Sequence, residues 1–310
     1  MKKIVFLDEY SIAGRSLEKI TSQGEYKAYE NTKKEDVVER LKGAEIAITN
    51  KVVIDGEAMR QLPDLKLICI AATGMNNVDL EAAKELGIEV KNAVGYSTIS
   101  VAETTITSAL ALARNVVYFN EYFHDGRYAK ADRAFCYDRH TFQVSGKKWG
   151  IVGMGNIGRE VARLASAFGC EVRYYSTSGV KREEQYPAME LEELLKWSDI
   201  VSVHSPLNER TRGLVGRDEL KLMKPTSLVI NVARGGIIDE AALAEALDNG
   251  WGAAAALDVF SVEPLRESPL YNIKDRYRLL ASPHNAWSAA EAIDRLIECV
   301  AENIRVWLAK

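Results

Sequence analysis

The stretch KKWGIVGMGNIGREVARLASAFGC, residues 147–170, sets an apolar run against three glycines and then a helical pattern. Gly153, Gly155 and Gly158 read G-x-G-x-x-G directly after KKWGIVG and at the opening of NIGREVARLASAFG. Alone the spacing is a weak signal, but between a strand and a helix it acquires a mechanism. Gly153 permits the tight turn, Gly155 lets a pyrophosphate approach the backbone, and Gly158 lets the helix lie close to the strand. The amides that open the helix, at Asn156 and Ile157, then attract phosphate. The competing reading is a glycine-rich turn that binds nothing, and the flanking pattern favours the binding turn.

A dinucleotide site of this kind usually carries an acid roughly 20 residues after the glycines. Here the next strand, EVRYYSTS (171–178), ends in Ser176, Thr177 and Ser178 instead. A carboxylate there would hold the ribose hydroxyls and repel a 2′-phosphate. Hydroxyls tolerate either, and Ser176 takes the acid's place. Lys181 and Arg182 would add positive charge, or else face solvent. The expectation tilts toward NADPH with NADH use retained.

Outward from this loop, short apolar runs alternate with helical spacing. KKWGIVG, EVRYYS, DIVSVH, SLVINVA, AAALDV and RLLASPH read as strands, with ELEELLKW and DEAALAEALDNG between them as helices. The same rhythm fills the first half, through KIVFLD, EIAIT, KLICIAA and IEVK. Alternation of this kind predicts two α/β units, each a doubly wound parallel sheet. TISVAETTITSALALARNVVYFNEYF (98–123) reads as one long buried helix bridging the halves. The amphipathic segment SAAEAIDRLIECVAENIRVWLA closes the chain, and the first half lacks a closing helix. Residues 1–97 and 288–310 are therefore expected to form one discontinuous domain, and 98–287 the dinucleotide-binding domain.

Bulk composition excludes several classes. The 310 residues, with 40 basic and 44 acidic side chains and a net charge of −4, give no reason to expect nucleic acid or an anionic membrane as partner. Nowhere do 18 consecutive apolar residues occur, and MKKIVFLDEY is too short in apolar run for a signal peptide, so a cytoplasmic protein is expected. Cys69, Cys136, Cys170 and Cys299 are widely separated, which leaves no C-x-x-C metal or redox pair; no metal is expected.

In open α/β sheets ligands lie beyond the carboxyl ends of the strands. Arg234 follows SLVINVA, Glu263 follows AAALDV and His284 follows RLLASP. Arginine's planar fork would take a substrate carboxylate and polarise the neighbouring carbonyl. A histidine would give a proton to the carbonyl oxygen as hydride arrives, and take it back in reverse. A glutamate bonded to the other ring nitrogen would favour imidazolium and set the ring's orientation. Singly, each has a plain reading: a solvated loop arginine, a turn glutamate before Pro264, a core histidine. Together they suit reduction of a small 2-oxo acid.

The blocks KKWGIVGMGNIGREVA, VSVHSPLNERTRGLV, INVARGGIIDEAAL, AALDVFSVEP and SPHNAW resemble successive blocks of the D-isomer-specific 2-hydroxyacid dehydrogenases, and within them the hydroxypyruvate and glyoxylate reductase branch. The resemblance implies a Rossmann domain inserted into a discontinuous flavodoxin-like substrate domain, and a homodimer built largely through the Rossmann domains. It implies that Arg234 binds substrate, His284 is the acid/base and Glu263 its partner. It also implies cofactor contacts at Thr105, His204, Ser205, Pro206, Val232, Ala233 and Asp258. Substrate contacts are implied at Trp287 and, through backbone amides, in two loops of the first domain, Asn50-Lys51-Val52 and Ala72-Thr73-Gly74-Met75. Asn285 stands where an apolar residue is common, and residues 128–146 match nothing closely; Tyr137, Arg139 and His140 there would reach a neighbouring subunit's site or simply be solvated. The competing function is a non-catalytic nucleotide-sensing corepressor, since fold alone does not fix activity. Formate dehydrogenase is disfavoured because that relative carries glutamine at the position of Glu263.

Overall fold

A computed structural model of the chain describes residues 1–179 and 183–310. They fall into two compact units, one of residues 1–97 with 288–310 and one of residues 98–287.

The first unit is a five-stranded parallel sheet of β1 (Lys3–Phe6), β2 (Glu25–Ala28), β3 (Ile46–Thr49), β4 (Leu67–Ile70) and β5 (Glu89–Asn92), in the order β2-β1-β3-β4-β5. That is the flavodoxin-like order. Strands β3 and β4 are buried at every position, as strands covered on both faces must be. Helices Gly56–Arg60 and Leu80–Glu85 start where Asp55 and Asp79 accept from the amides of Ala58 and Ala82. The terminal helix Ala290–Leu308 belongs to this unit and buries Ile293, Leu296, Val300 and Ile304 at helical spacing. It is pinned by Arg295 donating to the Tyr96 carbonyl and Asn303 to that of Asn92.

The second unit is a six-stranded parallel sheet of β6 (Lys148–Val152), β7 (Glu171–Tyr175), β8 (Ile200–Val203), β9 (Leu228–Asn231), β10 (Ala254–Leu257) and β11 (Leu279–Ala281). Its order is β7-β6-β8-β9-β10-β11. A single parallel bridge from Tyr174 to Ala188 continues it beyond β7 as a rudimentary edge. The winding reverses between β6 and β8, the point at which such sheets bind ligands. Trp149 is fully buried in β6, its indole N–H donating to Ser202 Oγ at 2.9 Å.

The single bridging helix expected over 98–123 is two helices, Thr98–Ala113 and Val116–His124. Asn115 breaks it by adopting φ 49°, a left-handed conformation that asparagine tolerates, and donates its side chain to the His140 carbonyl.

Candidate active site

The glycine loop has the form a dinucleotide needs. Gly153 sits at φ 99°, and a Cβ there would press on the backbone of His204 and Ser205 at 3.0 Å. A Cβ on Gly158 would lie 2.3 Å from the Gly153 carbonyl oxygen, so only glycine lets the helix Asn156–Ala167 start this close to β6. Around Gly155 a Cβ would meet nothing within 4 Å, and no side chain caps the helix there. Its first amides, at Asn156 and Ile157, therefore fit a phosphate rather than an internal partner.

Beside this loop, at the ends of β7 and β8, lie the other expected cofactor residues. Ser176 and Ser178 stand with their hydroxyl oxygens 3.3 Å apart, with Thr177 half-buried between them. Lys181 and Arg182 lie outside the described residues. Arg159, one residue past Gly158, makes a two-pronged pair with Glu184 at 2.5 and 3.0 Å. His204 Nε2 lies 2.9 Å from Ser202 Oγ, and burial pushes its imidazole down to about 3. Its Nδ1 and the Ser205 hydroxyl are shielded from solvent and have no hydrogen-bond partner among the described residues, while Pro206 is exposed. Thr105 corrects an expectation: it is fully buried, with its hydroxyl donating to the Val101 carbonyl of its own helix at 2.8 Å, which leaves it no face for a cofactor.

The strand-end triad is built by three loops. After β9, Val232 is buried, the Ala233 amide donates to Asn231 Oδ1 and the Asn231 side chain donates to the Arg234 carbonyl. The half-buried Arg234 guanidinium donates to the Ala233 carbonyl at 2.7 Å. The next residue must be glycine, because a Cβ on Gly235 would lie about 2 Å from the Phe260 backbone, at 1.9 and 2.0 Å from its carbonyl carbon and oxygen. That contact brings the Arg234 loop onto the loop carrying Glu263. Glu263 accepts from the Phe260 amide through one oxygen at 3.0 Å and lies 2.6 Å from His284 Nδ1 through the other.

His284 itself sits at φ 52°, a strained conformation for a residue with a side chain. Asp258 enforces it. That carboxylate is buried and accepts from the Ser282 hydroxyl at 2.6 Å and the amides of Asn285 and Ala286 at 3.0 and 2.9 Å, while its carbonyl accepts from the His284 amide at 2.8 Å. Trp287 completes the turn by donating its indole N–H to the His284 carbonyl at 2.9 Å. Sequence reasoning missed this bracing of the histidine by Asp258 and Trp287. The run of small and polar residues around His284 gave no sign of it.

In the first unit, the loop after β3 is organised by an aspartate that sequence reasoning also missed. Asp8 is buried, and its carboxylate accepts from the amides of Asn50 at 2.8 Å, Lys51 at 2.6 Å and Val52 at 3.3 Å; burial outweighs these bonds and holds its pKa above the ordinary carboxylate value. The expectation that these amides meet a substrate carboxylate is therefore corrected: they turn inward to Asp8. The Asn50 side chain likewise donates to the Ala71 carbonyl, and Lys51 is exposed. In the second loop Thr73 is exposed, with Gly74 and Met75 half-buried.

Arg139 is not held out toward a neighbour. It makes a two-pronged pair with Asp275 and lies over the rings of Tyr118 and Tyr277 at 4.8 and 5.0 Å. Tyr137, in contrast, is 87% exposed. Among the described residues no cluster of three or more histidine, cysteine or acidic side chains could hold a metal ion, and no helix is long and apolar enough to cross a membrane.

A glycine loop at the reversal point of a parallel sheet, with a glutamate–histidine pair after two neighbouring strands of the same sheet, is the arrangement of a dinucleotide-dependent oxidoreductase. Residues 106–286 match the NAD-binding domain of the D-isomer specific 2-hydroxyacid dehydrogenases, and the chain belongs to that family. It is 37% identical over 310 residues to a glycerate dehydrogenase of Methylorubrum extorquens, covering 99% of this chain and 96% of the relative. It is 33% identical to a hydroxypyruvate reductase of Blautia hydrogenotrophica, covering 99% and 97%. Among solved structures, an NADPH-dependent glyoxylate/hydroxypyruvate reductase of Sinorhizobium meliloti superposes with a TM-score of 0.87 at 25% identity, over 100% of this chain and 96% of that one. The chain is thus an NAD(P)-dependent 2-hydroxyacid dehydrogenase with two parallel-sheet α/β domains.

Proposed function

We propose that the protein reduces hydroxypyruvate or glyoxylate to the corresponding hydroxy acid, with NADPH favoured and NADH accepted. The observation that carries the reading is the 2.6 Å contact between Glu263 and His284 Nδ1. With Nδ1 committed to the glutamate, Nε2 is the ring atom that exchanges a proton with the substrate oxygen. Arg234 takes the substrate carboxylate through paired hydrogen bonds and polarises the carbonyl. Glu263 keeps the ring turned and balances the charge when Nε2 carries its proton. The nicotinamide cofactor, when bound, supplies the hydride to the carbonyl carbon and accepts it in reverse.

The dinucleotide is held by Gly153, Gly155, Asn156, Ile157 and Gly158 at its phosphates and by Ser176, Thr177 and Ser178 at the ribose. His204, Ser205 and Pro206 line its adenine side, and Val232, Ala233 and Asp258 lie toward the nicotinamide. Residues 98–287 form the dinucleotide domain. In the substrate domain, 1–97 with 288–310, Thr73, Gly74 and Met75 face substrate; Trp287 supports the histidine turn from its base. The preference for small acids follows from the relatives, which include a glycerate dehydrogenase, a hydroxypyruvate reductase and a glyoxylate reductase.

The test is steady-state kinetics on hydroxypyruvate, glyoxylate, pyruvate and longer 2-oxo acids with both cofactors. Hydroxypyruvate or glyoxylate should give the highest kcat/KM, with NADPH ahead of NADH. A higher value for a branched or longer acid would overturn the substrate reading, and a higher value with NADH the cofactor reading.

A further inference from the structure

The ribose end of the dinucleotide site receives a cation from a loop that the glycine motif does not include. Arg210 donates from Nη1 to the Ser178 carbonyl at 3.3 Å, across 32 residues of sequence, and the same atom lies 3.8 Å from where a Cβ on Gly179 would stand. Its loop is rigidly braced. Thr211 is buried and donates to the Pro206 carbonyl at 2.6 Å; Asn208 Oδ1 accepts from the amides of Arg210 and Thr211 at 2.9 and 3.2 Å; the Arg212 amide closes on the Asn208 carbonyl at 2.9 Å. The guanidinium is therefore delivered to the end of β7 by fixed backbone rather than by a free loop. There it stands over the turn that carries the Ser176 and Ser178 hydroxyls, where a ribose-binding carboxylate would otherwise repel a phosphate.

We propose that Arg210 is the cation that recognises the 2′-phosphate of NADPH, and that it sets cofactor preference together with Ser176 and Ser178. The inference rests on the dinucleotide site described above and deepens it. One bond to the Ser178 carbonyl occupies a single donor of a five-donor planar fork. The remaining donors suit a phosphomonoester dianion, to which arginine binds in a two-pronged, charge-assisted manner that a ribose hydroxyl does not reward. Among the described residues, Arg159 beside the glycine loop is already paired with Glu184.

The test is calorimetric binding of cofactor fragments to the full-length protein without turnover, using 2′,5′-ADP, 5′-AMP and inorganic phosphate as probes. The wild type should bind 2′,5′-ADP more tightly than 5′-AMP. Arg210→Ala should lower that affinity ratio about tenfold and leave 5′-AMP binding unchanged. Arg210→Gln, close in length but uncharged, should behave the same way, and melting temperatures matching the wild type would establish that both variants are folded. A ratio unchanged in the folded variants overturns the role of Arg210 while leaving the NADPH reading standing. A wild type with no preference for 2′,5′-ADP overturns both. Loss of inorganic phosphate binding alone, with the 2′,5′-ADP ratio intact, also overturns it, because the arginine would then serve phosphate outside the nucleotide.

Discussion

Two histidines at strand ends are put to opposite uses by their surroundings. His284 is partly open, faces a carboxylate and is held in a strained backbone conformation by Asp258. His204 is enclosed, with Nε2 2.9 Å from Ser202 Oγ, a hydroxyl that also accepts from Trp149 Nε1. Burial holds its pKa near 3, below the 6.5 of a free imidazole. Between those values the unfolded chain binds a proton that the native one refuses, so the stabilisation is fully present above 6.5 and is lost as pH falls toward 3. In urea unfolding, the wild type should lose at most about 2 kcal/mol more than His204→Gln between pH 6.5 and pH 5. Parallel curves for the two proteins would show that the native ring takes up its proton as readily as the unfolded one.

At the scale of elements, the site depends on two loops approaching more closely than side chains allow. Gly235 sits on the Phe260 backbone, and a methyl group there cannot be accommodated without parting the loops after β9 and β10. Gly235→Ala should therefore shift Arg234 away from the Glu263–His284 pair. A displacement of about an ångström costs roughly 100-fold in rate. The expected result is a kcat/KM lower by that order with 5′-AMP binding unchanged, since the glycine loop after β6 is built separately. Wild-type activity in this variant would mean that the two loops do not position the triad. The strands bearing the triad were legible because they are apolar runs ending in a charge, as SLVINVA before Arg234 shows. Strand β2 was not, because EYKA is an edge strand with alternate residues exposed and carries no apolar run. Nor was the break at Asn115, since one asparagine between two helical patterns reads as a polar helix position. Asp8, and the bracing role of Asp258, escaped for a different reason. Their partners are backbone amides 42 and 28 residues away, at Asn50 and Ala286, and amides leave no mark in a sequence.

At the scale of the molecule, the second unit exposes several large apolar side chains between residues 116 and 137. Val116 and Val117 are 53% and 45% exposed on the helix Val116–His124, Phe123 is 63% exposed at its end, and Phe135 and Tyr137 on the following segment are 74% and 87% exposed. Aromatic side chains exposed together on one segment mark an interaction surface more often than chance exposure. The segment is also well anchored, with Arg127 over Tyr118 and Tyr122 and Arg139 bound to Asp275, so the rings are presented on a fixed base. Such a surface predicts self-association: the anchoring would lower the ordering cost of a homodimer, and burial of the rings would supply its driving force. Sedimentation velocity should find the wild type dimeric at micromolar concentration. Phe123→Asp combined with Tyr137→Asp should sediment as a folded monomer, because a carboxylate at the centre of an apolar contact must be desolvated without a partner. A wild type that remains monomeric at that concentration removes the homodimer, and a double variant that remains dimeric moves the interface elsewhere on the unit.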